Sequence, residues 1–240
     1  MQEIKSQRAV MSTVRLPAGH FIVACKVFAP ELALAGIPPE RVVYLDQGLH
    51  NYPDKLQEEI TGALAGLEAR DDVDTVILLY GYCGGGLKDI SSNRLTLVVP
   101  MVHDCIPLLL GGNPSERQTG EGQSYYLSAG WIDHGQTPLT EHLKNVDKFG
   151  EEDALWVGRK MLAGYTRITL ITSQLTAHPR YREHALQCAR LFDLELRELP
   201  GSFSWLRRLL AGEQSPGLMV IRPGEKITLS LFLDCQPFVK

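Results

Sequence analysis

Short apolar runs alternate along this chain with segments of helical period. Phe21-Ile22-Val23-Ala24-Cys25 and Val42-Val43-Tyr44-Leu45 are unbroken apolar runs, the mark of buried strands. Thr75 to Tyr82 and Leu95 to Val102 repeat the pattern. Without polar alternation, such strands are covered on both faces, as in parallel sheets. Later strands are expected at Tyr125-Tyr126-Leu127, Arg167 to Ile171, Leu194 to Leu199 and Gly217 to Ile221.

Between these runs the period changes. Pro53 opens a helix, and Leu56, Ile60, Leu64 and Leu67 share one of its faces. Pro30 to Leu34 and Ile106 to Leu110 read as short helices. Thr137-Pro138 caps a helix with Leu139, Leu143, Val146 and Phe149 on its apolar face, and Gly150 ends it. Another helix spans Glu151 to Ala163. His178-Pro179 opens one whose face carries Tyr181, Ala185, Cys188 and Phe192, and Ser202 to Leu210 forms the last. Met1 to Gly19 reads as irregular, and the polar stretch up to Gly122 as a loop.

Strands alternating with helices imply right-handed crossovers. The expected fold is α/β, a mostly parallel sheet flanked by helices, in two Rossmann-like lobes at residues 20–135 and 136–240. One continuous sheet is the alternative.

Composition narrows the function classes. The 240 residues carry a formal net charge of −4, which offers no basic footprint for nucleic acid. No apolar run approaches the roughly 20 residues of a membrane-spanning helix. Met1 to Leu16 has no apolar leader core, so the cytoplasm is the expected compartment. Five widely spaced cysteines in a reducing compartment point away from a disulfide framework.

The cysteines carry the candidate chemistry. In open parallel sheets ligands bind at the carboxyl ends of the strands. Cys25, His50, Cys83 and Cys105 each follow a different expected strand at that end, and His103 lies two residues before Cys105. Three thiolates and an imidazole form a soft donor set suited to zinc or an iron–sulfur cluster. Each cysteine alone reads equally as core packing, because a free thiol behaves as a small hydrophobe. Cys188 and Cys235 are read as structural.

Tyr82, Gly84 and Gly85 form the turn beside Cys83, where glycine permits close approach of a bound group. Tyr80, Tyr82, Tyr125, Tyr126 and Trp131 are candidates for pocket walls. Asp104 either orients an imidazole or caps the helix at Ile106.

Several blocks together resemble the DUF1638 family, a group of bacterial and archaeal proteins of unknown function. They are Ala24-Cys25, Tyr44-Leu45-Asp46-Gln47-Gly48-Leu49-His50, Gly81-Tyr82-Cys83-Gly84, His103-Asp104-Cys105-Ile106 and Tyr126 to Ile132. The resemblance covers roughly Phe21 to Gly224. It points to Cys25, His50, Cys83, His103 and Cys105, and its members' association with corrinoid-dependent methyltransferase systems implies one-carbon metabolism.

The leading expectation is a metal-binding protein with Cys25, His50, Cys83 and Cys105 as zinc ligands and His103 as acid or base. It would transfer a methyl group or activate a thiol substrate, with a corrinoid protein as partner. An iron–sulfur protein, a non-catalytic metallochaperone or accessory factor, and a metal-free thiol enzyme using Cys83 and His103 are the alternatives.

Overall fold

The structure is a computed structural model, and it describes residues 11–111, 123–213 and 217–233. The expected N-terminal segment is described only from Met11 onward. The expected polar loop before Gly122 falls almost wholly outside the described residues, as does Cys235.

Eight strands form two sheets. In chain order they are β1 (His20–Cys25), β2 (Val42–Leu45), β3 (Thr75–Leu79), β4 (Thr96–Pro100), β5 (Gln123–Leu127), β6 (Tyr165–Thr172), β7 (Glu195–Pro200) and β8 (Leu218–Ile221). The helices are α1 (Ala29–Leu34), α2 (Pro53–Glu68), α3 (Ile106–Leu109), α4 (Ala129–His134) and α5 (Pro138–Phe149). They continue with α6 (Glu151–Met161), α7 (Pro179–Leu191), α8 (Ser204–Leu210) and α9 (Ser230–Leu233).

The first sheet has the order β2-β1-β3-β4-β8 and the second β5-β6-β7. All pairings are parallel except β4 with β8. The fold is α/β, with two mostly parallel sheets flanked by helices in the manner of two Rossmann-like lobes. The chain crosses between the sheets twice: β5 starts the second sheet, and β8 returns to the edge of the first.

The apolar runs explain the core. Phe21 to Ala24 and Val76 to Leu79 are almost wholly buried on both faces of the sheet. Leu56, Ile60, Leu64 and Leu67 of α2 are buried as their spacing requires, at about 1.5–3 kcal/mol for each side chain removed from water. The second sheet has a smaller core, where Leu127, Ile168 and Leu170 meet Ala185, Cys188 and Ala189 of α7. Cys188 is thus a packing residue.

The caps behave as chemistry dictates. Thr137 accepts from the Thr140 backbone N–H in a reciprocal capping box. His178 Nδ1 accepts from Arg180 N–H. Asp104 Oδ1 accepts from Ile106 N–H at 2.9 Å, starting α3.

Two local features differ from expectation. Residues 129–134, for which no element is expected after the strand at Tyr125 to Leu127, form α4, because Ser128 accepts from Trp131 N–H and caps a helix there. The expected apolar face of α5 is covered only in part: Leu139 packs against the second core and Val146 is half-buried, but Leu143 is 56% and Phe149 60% exposed, while His142 is buried. Where α5 packs on α6 and α7, Leu143 and Phe149 are left outward, and α6 leaves Trp156 and Met161 exposed.

Among the described residues no helix is long and apolar enough to cross a membrane.

Candidate functional site

Two strand-end turns meet backbone to backbone. The Tyr82 N–H donates to Val102 O (2.8 Å) and the Cys83 N–H to His103 O (2.9 Å), prolonging the pairing of β3 and β4 beyond the sheet. A Cβ on Gly81 would stand 2.5 Å from the backbone of Asp104, so the contact requires glycine. Cys83 itself has φ of 46° and Gly84 of 67°. A left-handed backbone is routine for glycine and costly for a residue with a Cβ. The sequence there is Gly81-Tyr82-Cys83-Gly84-Gly85. Its spacing is that of the Gly-x-Ser-x-Gly turn that lifts a nucleophile above a sheet, a signal missed above.

A cavity of about 440 Å³ opens at this end of the first sheet, against β5 and α4 of the second half. That volume falls within the roughly 300–1,000 Å³ of small-molecule sites. Cys25, His50, Cys83, Gly84, His103 and Cys105 all border it. Tyr82 and Gly85 do not; the Tyr82 ring packs on Phe232 at 4.8 Å. Tyr80, Tyr125, Tyr126 and Trp131, read above as possible walls, border it too.

Sequence reading missed Gln47 and Tyr165. Gln47 is buried, and its Oε1 accepts the Gln136 N–H (3.0 Å), joining the loop after β2 to the segment before α5. Only the neighbouring Asp46-Gln47-Gly48 block hinted at it.

His50 is held by a specific bond. Its Nδ1 lies 2.5 Å from Gln47 O and 3.2 Å from Gln47 Nε2; the closer contact, to the carbonyl, favours a proton on Nδ1 and a lone pair on Nε2. Its ring meets Trp131 edge-on, with centroids 5.8 Å apart. Trp131 is placed by α4, which lies directly on the turn after β1: a Cβ on Gly130 would stand 1.6 Å from Val27 O.

Burial governs the acidity of the thiols. It pushes Cys25 up to about 11; a hydrogen bond at the Val27 backbone opposes the shift and the Asp46 charge adds to it. Cys83 rises to about 12 through burial first, then through the charge of Asp104 and the neighbouring Cys25. Cys105 is raised well above its ordinary value by burial and the same neighbours, with the Trp131 side chain pulling the other way. Tyr80 is also driven up by burial and these groups. Its hydroxyl is buried without a hydrogen-bond partner.

The metal expectation is overturned. Among the described residues no group of three or more His, Cys, Asp or Glu side chains is placed to hold a metal ion. Cys25, His50, Cys83 and Cys105 share a cavity wall, but thiolate–zinc bonds of about 2.3 Å demand convergence on one point. They surround a space sized for an organic molecule instead. The zinc site, the iron–sulfur cluster, the metallochaperone role and the metal-dependent methyl transfer in one-carbon metabolism all lose their basis. With them goes the role of Tyr82, Gly84 and Gly85 in making room for a metal-bound group.

A family model matches residues 44–210, described as a protein of unknown function (DUF1638). The chain belongs to the DUF1638 family. The matched span includes His50, Cys83, His103 and Cys105 and leaves Cys25 outside it, on the N-terminal side. Comparison with curated proteins and with solved structures returns no match. In this DUF1638 protein the chemistry is therefore argued from the cavity itself.

Proposed function

We propose that this protein binds a small organic molecule in the cavity between its two sheets. The Tyr80 hydroxyl carries the reading: it borders the cavity, is 2% exposed as a residue, and has no hydrogen-bond partner. A buried hydroxyl left unpaired costs about 1–3 kcal/mol. A bound molecule that pairs with it recovers that cost. Free thiols on the wall suit a reducing, cytoplasmic setting.

The test is ligand-observed NMR of the full chain against a library of small organic molecules, repeated on Tyr80→Phe. Binders to the wild type that weaken in Tyr80→Phe support the reading. A library that yields no binder defeats it.

A second reading is favoured by the strained Cys83. In it the bound molecule is a substrate and Cys83 its nucleophile. The thiol proton passes to His50 Nε2, and the thiolate adds to a carbonyl carbon of the substrate; the C=O π pair moves onto oxygen, which takes the proton back from His50 to leave a neutral covalent adduct. Because burial holds the thiol protonated at neutral pH, this step needs the bound substrate and the base together. A covalent adduct found by intact mass spectrometry, absent in Cys83→Ala while binding persists, distinguishes the two readings.

A further inference from the structure

A second cavity, of about 280 Å³, lies beside the first. Gln47, His50, Tyr125 and Tyr165 border both, so the two spaces adjoin across these four side chains. At its size the second falls just short of the roughly 300 Å³ at which self-contained ligand sites begin. It suits one end of a molecule whose body lies in the first cavity.

A buried polar atom stands there without a partner. His142 of α5 borders the second cavity, is 4% exposed, and has no hydrogen-bond partner at Nδ1. The chain breaks at Gly150, where φ is 82°, and α6 packs back on α5. That reversal sets Glu151 Oε1 3.1 Å from His142 Nε2. A carboxylate only accepts hydrogen bonds, so in the neutral ring the proton sits on Nε2 and Nδ1 keeps a bare lone pair. Phe192 holds the same ring edge to face, at 6.1 Å and 89°. Phe192 has its place because position 158 is glycine, where a Cβ would overlap the Phe192 ring.

We infer that the second cavity extends the ligand site and takes a hydrogen-bond-donating end of the ligand, a hydroxyl or N–H group paired with His142 Nδ1. The inference rests on the small-molecule reading above and names its ligand class: an elongated molecule with a polar group at each end, one for Tyr80 and one for His142. A ligand confined to the first cavity pairs the Tyr80 hydroxyl and leaves the His142 acceptor desolvated and unpaired. An ether or carboxylate end would set lone pair against lone pair at Nδ1, so the second cavity discriminates by the donor. Asn51 and Asn145 also border it, and their carboxamides add further hydrogen-bonding groups for a polar end.

Ligand-observed NMR titration of the full chain with 1,8-octanediol tests this, an unbranched chain being the slimmest probe for the passage between the cavities. The control is 1,8-dimethoxyoctane, which keeps the chain and an acceptor for the Tyr80 hydroxyl but offers His142 no donor. The diol is expected to bind about threefold to tenfold more tightly than the diether. His142→Phe should abolish that advantage, leave the diether unchanged, and melt no lower than the wild type, because the unpaired acceptor is gone. In the wild type the imidazole ¹⁵N resonance of His142 Nδ1 should move upfield with the diol and stay in place with the diether. If His142→Phe does not fold, that resonance decides alone. Equal affinity for the two probes, or an equal loss of both in His142→Phe, overturns the inference. A diol that fails to bind while other small molecules do also overturns it but leaves the small-molecule reading standing. If no molecule enters at all, both readings fall.

Discussion

The Gln47 side-chain oxygen accepts a hydrogen bond from the Gln136 backbone N–H, 3.0 Å away and 89 residues along the chain. Gln47 also supplies the carbonyl that fixes the His50 ring, and both border the cavity. One residue therefore ties the two halves of the wall together. Gln47→Leu leaves a part-buried N–H without its protein partner, which should destabilise the protein by about 0.5–1.5 kcal/mol. Urea denaturation measures this directly. A variant as stable as the wild type would show the bond to be dispensable.

Gly130→Ala places a methyl group where Val27 O already lies. Neither backbone can yield without moving α4 away from the turn after β1. The loss should reach about 3 kcal/mol or more, and Trp131 fluorescence should shift as its ring is displaced, read against Trp131→Phe as blank. An unchanged melting temperature would contradict the placement of α4.

Glu31 is a buried acid beside Asp133. Burial pushes its carboxyl up to about 8; its own backbone pulls the other way and Asp133 adds to the rise. The folded pKa lies above the unfolded one, so the native state holds the proton more tightly. Its contribution to stability is complete below about 4.5, the ordinary value for a glutamate carboxyl, and fades as pH rises toward about 8. Glu31→Gln should remove that slope and exceed the wild type in melting temperature at pH 8. Parallel pH profiles from calorimetry would refute the shift.

The thiols obey the same sign at higher pH. Cys83 at about 12 and Cys25 at about 11, against 9.0 for a free thiol, contribute stability that is present below pH 9 and lost as pH climbs through 11 to 12. At pH 7.5 Cys83 should react with iodoacetamide roughly two to three orders of magnitude more slowly than a free cysteine. Mapping the labelled site by mass spectrometry follows this. Rapid labelling of Cys83 in the ligand-free protein would mean that something at the site stabilises its thiolate.

Strands, helices and their order follow from the chain, because burial imposes a period on each. The unbroken runs at Phe21 to Cys25 and Thr75 to Leu79 have no polar face, so only a doubly covered parallel sheet accommodates them. The spacing of Leu56, Ile60, Leu64 and Leu67 determines a helix and its buried side. The position of Cys25, Cys83 and Cys105 at one end of the first sheet follows equally, since parallel strands share their carboxyl ends.

What those side chains enclose was decided in three dimensions. Strand ends place residues within a few ångströms of a common region, but metal ligation needs convergence to tenths of an ångström, and no periodicity encodes that. The separation that turns a ligand set into a cavity wall depends on Gly81 against Asp104, Gly130 against Val27, and Gln47 reaching Gln136. Each is a contact between segments distant in sequence. The exposure of Leu143 and Phe149 on α5 has the same origin, for packing on α6 and α7 left half of the hydrophobic stripe outward. The chain's own pattern brought the thiols to one edge; only tertiary packing held them apart around a ligand-sized space.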